Sequence, residues 1–246
     1  MGRFFVLPHQ IDGDTIRIEG GDAQHIGKVL RLNVGDEITI CDGAGNDYQA
    51  KISRIEKNEV QSQIISRCKA DTEPKLRVVL YQGIPKAAKM DFVIQKAVEL
   101  GVAEIVPVMT KRSVVKLDAK GAKGKVERWN KIAAEASKQC NRAMIPKVAP
   151  VMNLKEALSH MQQMELKLIP YEAEDKTGLR DVLEQHAQVE SVGVLIGPEG
   201  GFDQMEVEMA REVGLLPVRL GKRILRTETA PLAVIAALMY AYGEIN

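Results

Sequence analysis

Over the first 65 residues, apolar and polar side chains alternate in short runs. RFFV (3–6), TIRI (15–18), EITI (37–40), YQAKISRI (48–55) and VQSQII (60–65) read as strands with one buried face, as antiparallel pairing requires. Asp22 stands where it can cap a short helix, AQHIGKVLR (23–31), with Ile26, Val29 and Leu30 on one stripe. Asp42-Gly43 and Gly45-Asn46 mark turns. Five strands and one helix in so short a stretch predict a small β-barrel domain over 1–70.

The rhythm changes after CKADTEPK (68–75), where Pro74 fits a linker. Continuous apolar runs now alternate with helical periods. Strands are predicted at 76–82, 104–109, 166–171, 192–197 and 216–221, and helices at 89–101, 125–139, 154–162, 178–186, 203–213 and 229–242. Trp129 shares a stripe with Val126, Ile132 and Ala133, which favours core packing over stacking on a base, and LDAKGAKGK (117–125) reads as a basic loop. The alternation predicts a second domain, 74–246, of α/β class: a mostly parallel sheet covered on both faces. From pattern alone that sheet is doubly wound and unknotted.

Composition sharpens this picture in one respect. The chain has 246 residues, 45% hydrophobic and 27% charged, which is enough to bury a core without disulfides. Its net charge of +1 conceals an uneven distribution. Residues 1–70 hold 9 basic and 10 acidic side chains, 71–150 hold 16 and 8, and 151–246 hold 9 and 15. The excess lies between Lys111 and Lys147, a local field suited to a polyanion such as nucleic acid. The three cysteines form no CxxC pair and the four histidines no metal-ligand spacing, so no metal is expected. An odd cysteine count and a start without a secretory signal point to the cytoplasm. No apolar run approaches the length needed to span a membrane.

Two loops that follow predicted strands carry the candidate chemistry: LIGPEGGF (195–202) and LGKRILRTETAP (220–231). Open α/β sheets bind ligands outside the carboxyl ends of their strands, where glycines let the backbone approach closely. Neither loop is a GxGxxG or a GxxxxGK[ST] motif. Thr227 or Thr229 suits a cap for the last helix, and Arg226 has two open roles, a partner for Glu228 or a contact to substrate.

GPEGG (197–201) and LG-x-x-I-L-R-T-E-T-A (220–230) resemble the bacterial 16S ribosomal RNA uridine-N3 methyltransferases, a SPOUT-class family. His25-x-x-x-Val-Leu-Arg31, the 89–101 segment, Arg112–Leu117 and Trp129 with Glu135-x-Ser-x-Gln-Cys-x-Arg142 extend the likeness over nearly the whole chain. Asn141 departs from it, standing where the family often has Gly.

The resemblance implies a PUA-like barrel joined to a trefoil-knotted domain, with S-adenosylmethionine held bent between the two loops. It makes Leu195, Ile196, Gly197, Pro198, Glu199, Gly200, Leu220, Gly221, Ile224, Leu225 and Thr227 the cofactor-binding set, with Ile224 and Leu225 as an apolar wall. Arg226 is then the cation for an anionic uracil imide, and Glu228 an orienter or base. Arg3, His25, Arg31, Arg112, Lys116, Lys138 and Arg142 become RNA contacts. The implied substrate is a uridine of 16S rRNA within an assembled small subunit, and the implied assembly is a homodimer through the apolar last helix. The competing functions are an RNA-binding assembly factor with an idle pocket and a knotted methyltransferase with another RNA target.

Overall fold

The computed structural model describes residues 3–113 and 118–245. The chain divides into two compact units, Met1–Glu73 with Ser137–Ile145, and Pro74–Ala136 with Pro146–Asn246.

In the first unit, β1 (Arg3–Phe5), β2 (Ile11–Asp12), β3 (Thr15–Glu19), β4 (Glu37–Cys41), β5 (Asn46–Ile55) and β6 (Glu59–Lys69) form a six-stranded sheet in the order β1-β4-β5-β6-β3-β2. Only β1–β4 is parallel. The alternation seen in the sequence becomes an inner face of Phe4, Ile16, Ile18, Ile38, Ile40, Ala50, Ile52 and Val60. The helix expected at 23–31 is displaced. Helix α1 runs Gly20–Gln24, and a wider turn follows at His25–Val29, where the Leu30 N–H donates to the His25 carbonyl at 2.9 Å. That widening carries Val29 and Leu30 off the buried face, so of the expected stripe only Ile26 is buried. Asp22 lies in the first turn of α1 and is not its cap.

A contiguous boundary near residues 70–74 does not describe the first unit fully, because residues 137–145 return to it. Glu73 fastens the returning segment. Its carboxylate accepts from the Arg142 guanidinium at 2.6 Å and from the backbone N–H groups of Ala143 and Met144 at 2.8 and 3.0 Å. The Ala143 carbonyl in turn accepts from the Gly45 N–H and the Cys41 thiol, at 3.1 Å each.

The second unit contains β7 (Arg77–Gly83), β8 (Glu104–Met109), β9 (Lys147–Val148), β10 (Met152–Asn153), β11 (Leu166–Pro170), β12 (Ser191–Ile196) and β13 (Leu216–Val218). All pair in parallel, in the order β10-β8-β7-β12-β11-β13 with β9 beside β8. Its helices are α2 (Lys89–Glu99), α3 (Ala119–Gln139, of which 137–139 count with the first unit), α4 (Leu154–Met161), α5 (Leu179–Gln185), α6 (Gln204–Glu212) and α7 (Ala230–Ala241). Strands β7 and β12 are buried almost end to end because helices cover both faces. Tyr81, Val106 and Leu195 pack with residues of α4 and α6 on one side. On the other, α7 lies against α2, β7 and β12.

The basic segment expected as a loop is helical from Ala119, since the Asp118 carboxylate accepts from the Gly121 N–H at 2.8 Å and its carbonyl starts the first turn. Trp129 is buried at 3% exposure, in the core as expected, with Lys125 over its ring. No helix among the described residues is long and apolar enough to cross a membrane. Because every strand of this sheet is parallel, the segments after β7, β11, β12 and β13 leave at one edge.

Candidate active site

That edge holds a cavity of about 500 Å³ built by both glycine-bearing loops. Ile196, Gly197, Pro198, Glu199 and Gly200 contribute one wall, and Ile224, Leu225, Arg226 and Thr227 the other. A second cavity of about 360 Å³ adjoins it, sharing Pro170, Glu172, Ile224, Leu225 and Ala230 and adding Leu220, Gly221, Lys222 and Arg223. Such volumes suit a nucleoside-sized ligand. Leu195 departs from the expected set: at 1% exposure its side chain belongs to the core and not to the cavity.

Glycine has a physical reason at two of these positions. At Gly201, φ is +63° and a Cβ would stand 2.8 Å from Glu172 Oε1. Gly221 has φ +101°. The second loop also leaves main-chain groups free. The N–H groups of Leu220, Gly221, Ile224, Leu225 and Arg226 meet no acceptor among the described residues. Unpaired backbone donors beside the exposed Ile224 side chain form the cradle that a purine nucleoside requires, so the residues present fit S-adenosylmethionine.

Two side-chain ties join the loops. The Thr227 hydroxyl donates to the Gly197 carbonyl at 2.7 Å and accepts from Gln82 Nε2 at 3.2 Å. Thr227 is therefore a buried fastener within the expected cofactor set, and its hydroxyl is already committed. The second tie is Lys89, whose Nζ lies 3.1 Å from Glu199 Oε1 and 3.2 Å from Glu228 Oε2. Glu199 also accepts from the Lys86 N–H at 3.1 and 3.3 Å. Burial opposes ionisation of Glu199, but its own backbone N–H, Lys89 and the Lys86 N–H outweigh it and hold the carboxyl below the usual range. Glu228 is held low in the same way, against burial, by its own backbone N–H, by Lys89 and by the nearby Arg226 charge. Pairing with Glu199 and Glu228 pushes the Lys89 ammonium up.

Arg226 lines the cavity and is exposed. Its guanidinium pairs with no carboxylate among the described residues, since Glu228 is taken by Lys89. Its carbonyl accepts from the Thr229 and Ala230 N–H groups, at 2.8 and 2.9 Å, and so starts the turn into α7. Neither threonine side chain caps that helix.

The expected RNA-contact residues fall into different settings. His25 and Arg31 are exposed on the first unit. Lys138 is half-buried and paired with Asp22 at 3.2 Å. Arg3 pairs with Asp47 at 2.6 Å, and Arg142, 6% exposed, is bound to Glu73. Arg3 and Arg142 hold their own unit together and offer little to a phosphate. Arg112 stands at the first glycine-bearing loop, where Nη1 donates to the Gly200 carbonyl at 3.0 Å and Asp203 lies nearby. Lys116 lies outside the described residues.

Sequence reading missed Gln82, Lys89 and Glu172. A polar residue closing the apolar run of β7 was the available signal for Gln82. Lys89 and Glu172 give no such signal, because their partners come from other segments. The second unit also has a larger groove, about 850 Å³, lined by Leu179, Leu183, Ala233, Ala237 and Tyr240. Arg180 is paired there with Glu184 and Asp181 accepts from the Gly178 N–H, which leaves Arg219 as the open charge of its lining among the described residues.

Comparison with known proteins agrees with this geometry. A family model described as an RNA methyltransferase domain matches residues 72–239, and one described as an RNA methyltransferase PUA domain matches 18–65. The ribosomal RNA small subunit methyltransferase E of Bacillus subtilis is 36% identical over 98% of this chain and 96% of its own. That of Mesomycoplasma hyopneumoniae is 37% identical over 84% of this chain and 87% of its own. A crystal structure of the Neisseria gonorrhoeae enzyme of the same name, bound to S-adenosyl methionine, superposes with a TM-score of 0.85 at 35% identity, covering 98% of both chains. With likeness of this extent in both sequence and structure, the chain belongs to the ribosomal RNA small subunit methyltransferase E family.

Proposed function

We propose that the protein methylates N3 of a uridine in 16S ribosomal RNA, with S-adenosylmethionine held between loops 197–202 and 220–229. The observation that carries this reading is the cavity that both loops share, with an unpaired arginine on its wall. The relatives' activity and the cofactor in the Neisseria gonorrhoeae structure support it.

When bound, S-adenosylmethionine supplies an electrophilic methyl group on a sulfonium. The chain must do the rest. Uracil N3 is protonated and a poor nucleophile, so charge building on the imide oxygens needs a cation. Arg226 meets that need because its guanidinium pairs with no carboxylate among the described residues. Glu228, whose carboxyl is held below its ordinary range, acts as an orienter, and the N3 proton passes to solvent water as the imide forms. Fixed loops supply orientation, the remaining large contribution.

In this reading residues 74–246 form the cofactor domain and residues 1–70 an RNA-gripping barrel, with His25, Arg31 and Lys138 as contacts. The second unit adopts the trefoil knot. Placement of β13 at one edge while α7 lies back against β7 and β12 supports that threading. The groove along α5 and α7, with Tyr240 73% exposed, supports a homodimer through the last helix. Three free cysteines fit the cytoplasm.

Mass mapping of methylated nucleotides in small ribosomal subunits, after incubation with labelled donor, tests the reading. One label at N3 of a uridine is expected. Label on a ribose would reject the position. No label on any particle would favour an assembly factor.

A further inference from the structure

The reaction as derived leaves Lys89 without a task, although Lys89 lines the cavity beside Arg226. It is the first residue of α2 and follows the segment leaving β7, so a third strand end reaches the two loops through it. Its ammonium is shared nearly equally between a carboxylate of the first loop and one of the second, at 3.1 and 3.2 Å. Its side chain is only 32% exposed, and those of Glu199 and Glu228 are 27% and 20% exposed. Solvent therefore screens the cluster only partly. The other charged groups lining the cavity are Arg226 on the second loop and Glu172 after β11. Removing the ammonium would leave two ionised carboxylates facing each other across the junction of the loops.

We propose that Lys89 is a positioning residue that sets the spacing of the two cofactor loops through Glu199 and Glu228, without touching the reacting atoms. The inference rests on the donor-site reading above and deepens it. The lysine neutralises a repulsion that would otherwise part the walls of the cavity. Donor affinity thus depends on a side chain that need not contact the donor.

Calorimetric titration of the full chain with S-adenosylhomocysteine tests this, using wild type, Lys89→Met, Lys89→Arg and the pair Lys89→Met with Glu228→Gln. Lys89→Met is expected to weaken binding by about tenfold or more, and Lys89→Arg to stay within about threefold of wild type. Adding Glu228→Gln to Lys89→Met is expected to restore most of the loss, because one of the repelling charges is gone. A merely structural lysine would show no such recovery. Thermal unfolding checks the fold of each variant. Where Lys89→Met is unfolded, the neutral but hydrogen-bonding Lys89→Gln replaces it with the same expectations. Binding by Lys89→Met equal to wild type, or no recovery in the double variant, overturns the proposal. Absence of binding by wild type itself overturns the donor-site reading instead.

Discussion

Single residues of the site divide into open groups and committed ones. Arg226 is exposed and unpaired on the cavity wall, whereas Thr227, its neighbour, is buried and hydrogen-bonded on both sides. Replacing Arg226 with Ala should lower kcat about 10²–10³-fold. The affinity for S-adenosylhomocysteine should change little, which separates loss of catalysis from loss of the site. Two backbone positions carry their own expectations. Ala87 sits at φ +53° beside the Lys86 N–H that anchors Glu199. Ala87→Gly should therefore raise stability by about 0.5–1 kcal/mol in denaturant titration. Gly193, buried in β12, is closely packed, since an added Cβ would lie 3.0 Å from Met161 Cγ and 3.1 Å from Met164 Cγ. Gly193→Ala should cost about 1–3 kcal/mol. Arg226, Glu199 and Glu228 were legible because they stand in short recognisable motifs. Lys89 was not, because its role depends on two carboxylates that only the fold brings to it.

At the level of elements, apolar period located every strand longer than two residues and helices α2 to α7, but it missed β2, β9 and β10 and could not show where local chemistry interrupts it. The 23–31 stripe has a helical period, yet the wide turn at His25–Val29 turns Val29 and Leu30 outward. The glycines and lysines of 117–125 suggested a loop. The Asp118 cap and the buried stripe that follows outweigh their low propensity, and the segment is helix. Asp118→Ala should cost about 1 kcal/mol and fray the first turns of α3. Asn141 at φ +59° explains the departure from the family's Gly, since Asn tolerates the left-handed region next best. One residue later, Arg142 read as a phosphate contact because it is basic in a basic stretch. Burial and Glu73 make it a clamp. Arg142→Met should cost the first unit about 3 kcal/mol by leaving Glu73 without its cation, measured by chemical denaturation.

For the whole molecule, alternation of strands and helices announced a parallel sheet but not its order. That order places β7 between β8 and β12, with α7 against β7 and β12 and α4 against β8. It is also what brings the loops after β12 and β13 to one cavity. A global pH response follows from the carboxylates. Asp42 is opposed by burial but stabilised by hydrogen bonds from Asn46, the Ala44 N–H and Tyr48, and is held below its usual range. Glu174, Glu199, Asp203 and Glu228 are likewise held low. A carboxylate depressed in the folded state contributes stability that is fully present above its unfolded value, about 4, and lost as pH falls through the folded value. The thermal midpoint should therefore fall steadily below about pH 4, and Asp42→Asn should flatten part of that decline. A midpoint unchanged down to pH 3 would contradict this.

The account turns on the two late loops forming the donor site, and hydrogen–deuterium exchange with and without S-adenosylhomocysteine tests that most directly. Slowed exchange at 196–202 and 219–229 is the predicted result. Slowing confined to the groove at 178–187 and 233–242, with both loops unchanged, would contradict it.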